Sequence, residues 1–342
     1  MLGEESSLDL VEILLIDFAP SSSRNELNGT STSCDHRISK FREKMSRRVL
    51  RNPSLPFEMK FERVHPSKND IHHTFSNLSY PQDIDISYNH SVILITDCFN
   101  QRISVYDLQT KHYKFEMKPL PITYPTTLCI EENYDGQYND AFIVVMMSDI
   151  ERVLFKCDLK TLISLNGKQF SSIFQVNQFT FPRGVKVYNK KIHVVDERCI
   201  KILSSDTGQL MEVVDLDWKA FDLAIINDHT IAVLFSEGTV NRIEILDAEL
   251  NWRTIRSFEQ ELFHWPKSIV MDSAAKRLIV CDHNNGKIFV FSLEGLIYIS
   301  SFGQREERSR DNLDCPTALC LNEMTGELFV VDDLTNQVLI FK

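Results

Sequence analysis

The sequence has no apolar run of 18 residues and no basic amino-terminal leader. Its 342 residues begin with MLGEESSLDL, which is acidic where a secretory signal peptide carries positive charge. A membrane-spanning helix needs about 20 apolar residues in succession. The sequence therefore predicts no transmembrane segment and a cytoplasmic location, with a nuclear one as the alternative.

Closely spaced cysteines are also lacking. Eight cysteines are present, but no two of them form a C-x-x-C pair. Such pairs are typical of zinc knuckles, and regular cysteine spacings in short secreted chains are typical of disulfide frameworks. We therefore expect reduced thiols, no metal site and no cofactor. Cys129, Cys281 and Cys320 lie in apolar strand patterns, where we expect small buried residues.

The composition is that of an ordinary globular protein. Hydrophobic residues make up 43% and charged residues 25% of the chain, which is enough apolar material for a sizeable core. The length fits two average domains or one large closed all-β architecture. The formal net charge is −11, and the first 55 residues hold eight basic and eight acidic residues. The whole net charge therefore falls on the remainder of the chain.

The stretch ITDCFNQRISVYDL, residues 95–108, recurs through the chain with variation. In most units an acidic residue is followed five positions later by a basic residue and then by Ile or Val. These fifth positions are Arg102, Arg152, Lys201, Arg242, Lys287 and Gln337. Upstream of each one, a turn residue opens an alternating apolar strand, as in YPQDIDI, YPTTLCI, FPRGVKV, AFDLAII, WPKSIVM and CPTALCL.

The six units recur every 41–50 residues and contain short strands and turn signals without helical periodicity. Repeats of this length with four short strands each are typical of a β-propeller, in which every blade packs against its neighbours. The sequence therefore predicts an all-β fold, a six-bladed β-propeller of four-stranded blades in one closed ring.

These units resemble the NHL repeat family, whose repeats read P-x-G-[IV]-x-[IV], then a strand that ends in Asp, then N-x-[RK]-[IV]. The resemblance spans about residues 57–342 and is clearest in units one, three and five. FPRGV in unit three keeps the family's glycine, Gly184. The other units replace that glycine with Asp83, Thr127, Asp222, Ser268 and Ala318. The resemblance implies a propeller that presents its channel face to a partner, which is a protein in some NHL proteins and RNA in others.

Asp97, Asn100 and Arg102 are spaced like residues of an active site, but their recurrence favours scaffolding. An aspartate caps a turn through backbone N–H groups, and a basic residue five positions later partners the acid or a carbonyl group. The residues that we assign to this repeated structural turn are Asp97, Arg102, Asp196, Lys201, Asp282, Lys287 and Asp332.

Two domains are predicted, an extension over residues 1–55 and the propeller over residues 56–342. ISKFREKMSRRVL places apolar residues at helical spacing among basic ones, which predicts a basic amphipathic helix near 36–50 in a partly disordered extension. The alternating stretch FEMKFERV, 57–64, is expected to pair beside residues 337–341 and to complete the last blade.

In propellers, the turns that open the innermost strands lie on one face of the ring, together with the turns between second and third strands. We call this the upper face. On this face, the position after the Pro position contains no histidine and no carboxylate in any unit. Its residues in units one to six are Gln82, Thr126, Arg183, Phe221, Lys267 and Thr317. His193 and His264 are isolated, and His283 is expected in an exposed, solvated turn. The candidate binding residues are Gln82, Arg183, Phe221, Trp265 and Lys267.

Function is argued from these residues, because propellers serve as enzymes, RNA readers and platforms alike. No nucleophile with a paired base and no ligand set of the propeller lyases or lactonases can be named, so the sequence favours a protein that is not an enzyme. We expect a non-catalytic platform for a protein or peptide partner. An RNA-binding NHL domain and a lyase- or lactonase-type enzyme are the alternatives. The sequence does not identify the partner or the oligomeric state.

Overall fold

The computed structural model describes residues 75, 77–238, 240–259, 261–303 and 313–341. Within these ranges the chain forms six antiparallel sheets, of which five have four strands and the last has three. The predicted helix near 36–50 and the predicted strand 57–64 lie outside the described residues. Among the described residues, no helix is long and apolar enough to cross a membrane.

The first three blades take up the chain from residue 81 to residue 215. Blade one consists of β1 (Pro81–Ser87), β2 (Val92–Asp97), β3 (Arg102–Asp107) and β4 (Tyr113–Met117). Blade two consists of β5 (Tyr124–Glu131), β6 (Ala141–Met147), β7 (Arg152–Asp158) and β8 (Phe174–Val176), with a short helix α1 (Leu159–Ser164) before its last strand. Blade three consists of β9 (Pro182–Tyr188), β10 (Lys191–Asp196), β11 (Cys199–Ser204) and β12 (Leu210–Asp215).

The other three blades follow the same order. Blade four consists of β13 (Ala220–Ile225), β14 (Thr230–Glu237), β15 (Val240–Asp247) and β16 (Arg253–Glu259), with a 3₁₀ turn at Ala248–Leu250. Blade five consists of β17 (Pro266–Asp272), β18 (Arg277–Asp282), β19 (Lys287–Ser292) and β20 (Ile297–Phe302). Blade six consists of β21 (Pro316–Leu321), β22 (Leu328–Asp332) and β23 (Gln337–Phe341).

The ring closes through its six innermost strands, which contact one another in the order β1, β5, β9, β13, β17, β21 and back to β1. Six apolar clusters lie between successive blades, including one that joins Ile93 of blade one to Phe329 of blade six. The predicted six-bladed β-propeller is therefore confirmed, and the core is a set of layers between blades.

Burial explains why the strands differ in composition. The second strand VILITD of blade one is buried along its whole length, because both of its faces pack against neighbouring blades. The outer strand LMEVVD of blade three is exposed at five of its six positions. The repeat also marks the strand ends. The repeated acid position is the last residue of the second strand in each blade, and in most blades Pro is the first residue of the innermost strand.

The repeated acid fixes the turn of its own blade. Asp97 Oδ1 accepts a hydrogen bond from the Ser79 N–H at 2.7 Å, and the Asn100 amide and Arg102 Nε donate to the same carboxylate at 2.9 and 2.6 Å. Asp196 accepts from the Phe181 N–H at 2.6 Å in the same way. The acid thus joins the end of the second strand to the segment that opens the innermost strand. In blade five, Asn285 rather than Lys287 donates to Asp282.

We predict that Asp97→Ala lowers the free energy of unfolding by about 1–3 kcal/mol, because it leaves the buried donors of the turn unsatisfied. Chemical denaturation monitored by fluorescence measures this change. Asp149→Ala is the matched control, since Asp149 is an exposed acid in the equivalent turn of blade two. A loss no larger than that of the control would contradict the structural role of Asp97.

Candidate functional site

The candidate binding residues of four blades form one continuous series around the upper mouth of the channel. The Arg183 guanidinium lies over the Phe221 ring at 3.8 Å from its centroid, and Phe221 contacts Trp265 edge to face at 6.4 Å. Lys267 Nζ lies 5.1 Å from the Trp265 ring. Gln82 and Lys267 both donate to Asp333 Oδ2, at 3.5 and 3.3 Å. The structure therefore brings the five residues together, although binding by them stays a prediction.

Arg183 is a cation in contact with two aromatic rings. Its guanidinium lies 4.7 Å from the Phe181 ring as well as over Phe221, and its Nε is buried without a hydrogen-bond partner. Burial lowers the pKa of Arg183, and the negative charge of Glu197 partly offsets this effect. Among the described residues, no carboxylate forms an ion pair with Arg183. Its charge is thus partly desolvated and not neutralised by a direct contact.

Exposed apolar side chains extend this surface on the upper face. Trp265 is 42% exposed, and Phe181 and Tyr124 occupy the same position before the proline in their own blades. The turns between second and third strands add Phe99, which is 61% exposed, and Ile150, which is 86% exposed. Large apolar side chains grouped on one face are typical of a surface that a partner covers.

Asp333 and His283 belong to this mouth, and sequence reasoning missed both. His283 Nε2 lies 3.3 Å from Asp333 Oδ1, and the His283 ring packs against Trp265 at 5.3 Å. Burial alone would raise the pKa of Asp333, but the hydrogen bond from His283 and the positive charge of Lys267 lower it. The expectation of a solvated His283 is wrong, because its side chain is only 12% exposed.

A signal in the sequence could have found these residues. The position directly after the repeated acid holds Glu197 in unit three, His283 in unit five and Asp333 in unit six. Each follows a second strand on the upper face, where it meets the residues that open the innermost strands. His193, by contrast, is a packing histidine as expected, since it is buried and burial lowers its pKa to about 4.

Side chains at the second position after the Pro position of the repeat, where the NHL pattern has glycine, join neighbouring blades inside the channel. Asp83 Oδ2 accepts from Thr127 Oγ1 at 2.7 Å and from the Leu128 N–H at 2.8 Å in the next blade. Asp222 forms the equivalent contacts in blade four. Its Oδ2 accepts hydrogen bonds from Ser268 Oγ at 2.9 Å and from the Ile269 N–H at 3.0 Å in the next blade.

Gly184 is needed where it stands in the channel. A Cβ atom at this position would lie 2.5 Å from Asp222 Oδ1 and 2.8 Å from the Asp222 Cα atom. A side chain would therefore force blade three away from blade four. The glycine and its replacements thus serve the same purpose, the close approach of successive innermost strands.

Lys186 supplies the positive charge of the central channel. Burial opposes its protonation, but the carboxylates of Asp222, Asp83 and Asp85 raise its pKa well above the usual range. Burial raises the pKa of Asp83 to about 6, although Lys186 and the hydrogen bonds from Leu128 and Thr127 pull it down. The Lys186 ammonium group therefore acts on carboxylates that already accept backbone hydrogen bonds.

A cavity lies on the opposite, lower face, where the innermost strands end. It has a volume of about 950 Å³ and its lining includes the carboxylates of Asp85, Glu131, Glu132, Asp272 and Glu323 and the amine of Lys190. Glu131 also forms a buried ion pair with Lys156 at 2.6 Å. An acidic cavity repels phosphate groups and attracts cationic ones.

One group of side chains has the composition of a metal site. The donor atoms of His283, Cys315 and Asp333 lie within 4.8 Å of one another on the upper face. The sequence predicted no such group, because the three residues are 18–50 positions apart and belong to two units. The packing of blade five against blade six brings them together.

Comparison with known proteins supports the fold and no more. Neither a known family nor an individual curated protein matches the sequence. Among solved structures, the chain is similar to hydrazine synthase of Kuenenia stuttgartiensis, with a TM-score of 0.55 and 13% sequence identity. The similarity covers 76% of this chain and 82% of that chain. At this identity it shows a shared propeller fold.

We predict that Lys186→Met makes stability depend more strongly on pH. The folded-state pKa of Asp83 is raised, so its ionised form opposes folding and stability falls as pH rises from about 4 through 6. Without the Lys186 ammonium group the pKa of Asp83 rises further, so the loss of stability extends to higher pH.

The measurement is thermal unfolding at pH 5 and pH 8. The stability deficit of Lys186→Met relative to the wild type should be about 1–3 kcal/mol larger at pH 8, since each unit of pKa shift corresponds to about 1.4 kcal/mol. Lys160→Met, at an exposed position of α1, is the control. Equal deficits at both pH values would show that Lys186 does not balance the channel carboxylates.

Proposed function

We propose that the protein is a non-catalytic recognition platform, an NHL-type propeller of the cytoplasm or nucleus, that binds an acidic protein or peptide on its upper face. Arg183 carries this proposal. Its charge is partly desolvated and has no carboxylate partner among the described residues, and a partner's carboxylate that accepts hydrogen bonds from the terminal guanidinium nitrogens would neutralise it. Contacts with the Phe181 and Phe221 rings already hold the guanidinium, so little conformational freedom is lost on binding.

The apolar residues around Arg183 support a protein or peptide rather than a small anion. Trp265 and Phe181 offer exposed ring surface next to the cation, and Phe99 and Ile150 extend it toward the rim. Arg and aromatic residues dominate the binding energy of many protein interfaces. A ligand that combines a carboxylate with an aromatic or aliphatic side chain fits this surface best.

The charges of the described residues support RNA less well. Lys267 at the upper mouth is paired with Asp333 at 3.3 Å, so part of its charge is already neutralised. Affinity for nucleic acid comes largely from neutralising several phosphates. The acidic lower cavity adds repulsion. The similarity to hydrazine synthase, an enzyme by its name, carries no activity over to this chain.

We predict that Arg183→Ala lowers the affinity for a captured acidic partner by about 10- to 100-fold. This is equivalent to about 1–3 kcal/mol, the contribution of a charge-assisted hydrogen bond. Partners are first identified by affinity capture and mass spectrometry with the full chain, and affinity is then measured by calorimetry. Arg198→Ala is the matched control, because Arg198 is an exposed arginine whose guanidinium is paired with Glu237.

Two results would contradict the proposal. The first is unchanged affinity of the partner for a folded Arg183→Ala variant. The second is capture of RNA in place of protein, with binding that Arg183→Ala leaves intact.

A further inference from the structure

The group of His283, Cys315 and Asp333 joins two blades at the channel mouth. His283 follows β18 in blade five, whereas Cys315 directly precedes β21 and Asp333 directly follows β22 in blade six. The Asp333 and Cys315 side chains are buried and His283 is 12% exposed. An imidazole, a thiol and a carboxylate thus converge in a place with little access to water.

The orientation of the His283 ring suits metal binding. Its Nδ1 lies 3.0 Å from the Asn284 side-chain oxygen, and its Nε2 lies 3.3 Å from Asp333 Oδ1. With Nδ1–H donating to Asn284, the lone pair of Nε2 faces a carboxylate oxygen, and either a proton or a metal ion must lie between the two atoms. An outer hydrogen bond of this kind orients most metal-binding histidines.

The spacing of the donor atoms fits a tetrahedral ion. Zinc binds histidine nitrogen and carboxylate oxygen at about 2.0–2.1 Å, so two such donors in tetrahedral geometry are about 3.3–3.4 Å apart. His283 Nε2 and Asp333 Oδ1 have this separation, 3.3 Å, and Cys315 Sγ lies within 4.8 Å of a ring nitrogen of His283 and of a carboxylate oxygen of Asp333.

Further contacts hold the three donors in position. The Asp333 N–H donates to the Cys315 carbonyl at 3.2 Å, and the His283 N–H donates to the Trp265 carbonyl at the same distance. Lys267 and Gln82 donate to Asp333 Oδ2, which leaves Oδ1 directed at His283. These contacts pre-organise the donor set for an ion.

We propose that His283 Nε2, Cys315 Sγ and Asp333 Oδ1 bind one Zn²⁺ ion, with the fourth coordination position left for water or for a donor atom of a ligand. Mixed sulfur, nitrogen and oxygen donors are typical of zinc, and three protein ligands leave an open position. The Cys315 thiolate and the Asp333 carboxylate balance the charge of the ion. Binding releases the thiol proton and any proton between His283 and Asp333, so affinity falls as pH falls.

This proposal goes beyond the platform function and is tested without any partner. The full chain is stripped with a chelator, dialysed and given one equivalent of Co²⁺ as a spectroscopic probe. We expect thiolate-to-cobalt absorption in the near ultraviolet and the intense visible bands of tetrahedral cobalt. With Zn²⁺, elemental analysis after gel filtration should show one ion per chain, and the melting temperature should rise.

Substitutions assign the site. Cys315→Ser should abolish the sulfur-to-cobalt band, and His283→Gln should weaken Zn²⁺ binding at least tenfold. His283→Gln changes a residue near the surface, so it tests the site even where Cys315→Ser does not fold. Cys199→Ser is the matched control, because Cys199 is a half-buried thiol at the start of β11 in blade three, outside the proposed donor set. Absence of retained Zn²⁺, or a cobalt spectrum unchanged in His283→Gln, would overturn the proposal.

Discussion

Each blade of this protein has apolar side chains on both faces and is stable only between two neighbours. The six apolar clusters between blades therefore require a closed ring, and closure requires the innermost strands to approach one another closely. Hydrogen bonds between the innermost strands of successive blades secure that approach, as between Asp83 and Thr127 and between Asp222 and Ser268. The side chains of the upper face take their positions from this ring.

The two faces of the ring differ in chemistry. The upper face combines Arg183 with aromatic rings and exposed apolar residues, which suits an acidic protein segment. The lower face holds a cavity lined by five carboxylates. Lys186 lies between them and balances part of the negative charge of the channel. The two ends of the ring therefore present different charged groups.

The repeat alone was enough to predict the propeller, because the turn residues and the repeated acid recur at fixed offsets and coincide with strand ends. It also predicted Arg183 and Phe221 at the channel mouth, since equivalent positions of successive blades become neighbours. Asp333 and His283 were missed because their contacts depend on side-chain direction rather than on the pattern of one strand. The carboxylates at the position where the NHL pattern has glycine were interpreted as departures from that pattern, whereas in the structure Asp83 and Asp222 form hydrogen bonds between neighbouring blades.

Hydrogen–deuterium exchange of the full chain, with and without a captured partner, tests the central claim most directly. The account predicts that a partner slows exchange in the upper-face segments at 180–184 and 265–267, while the lower turns at 188–191 and 272–275 are unchanged. Slower exchange confined to the lower turns would place recognition at the acidic cavity and contradict the assignment of the upper face.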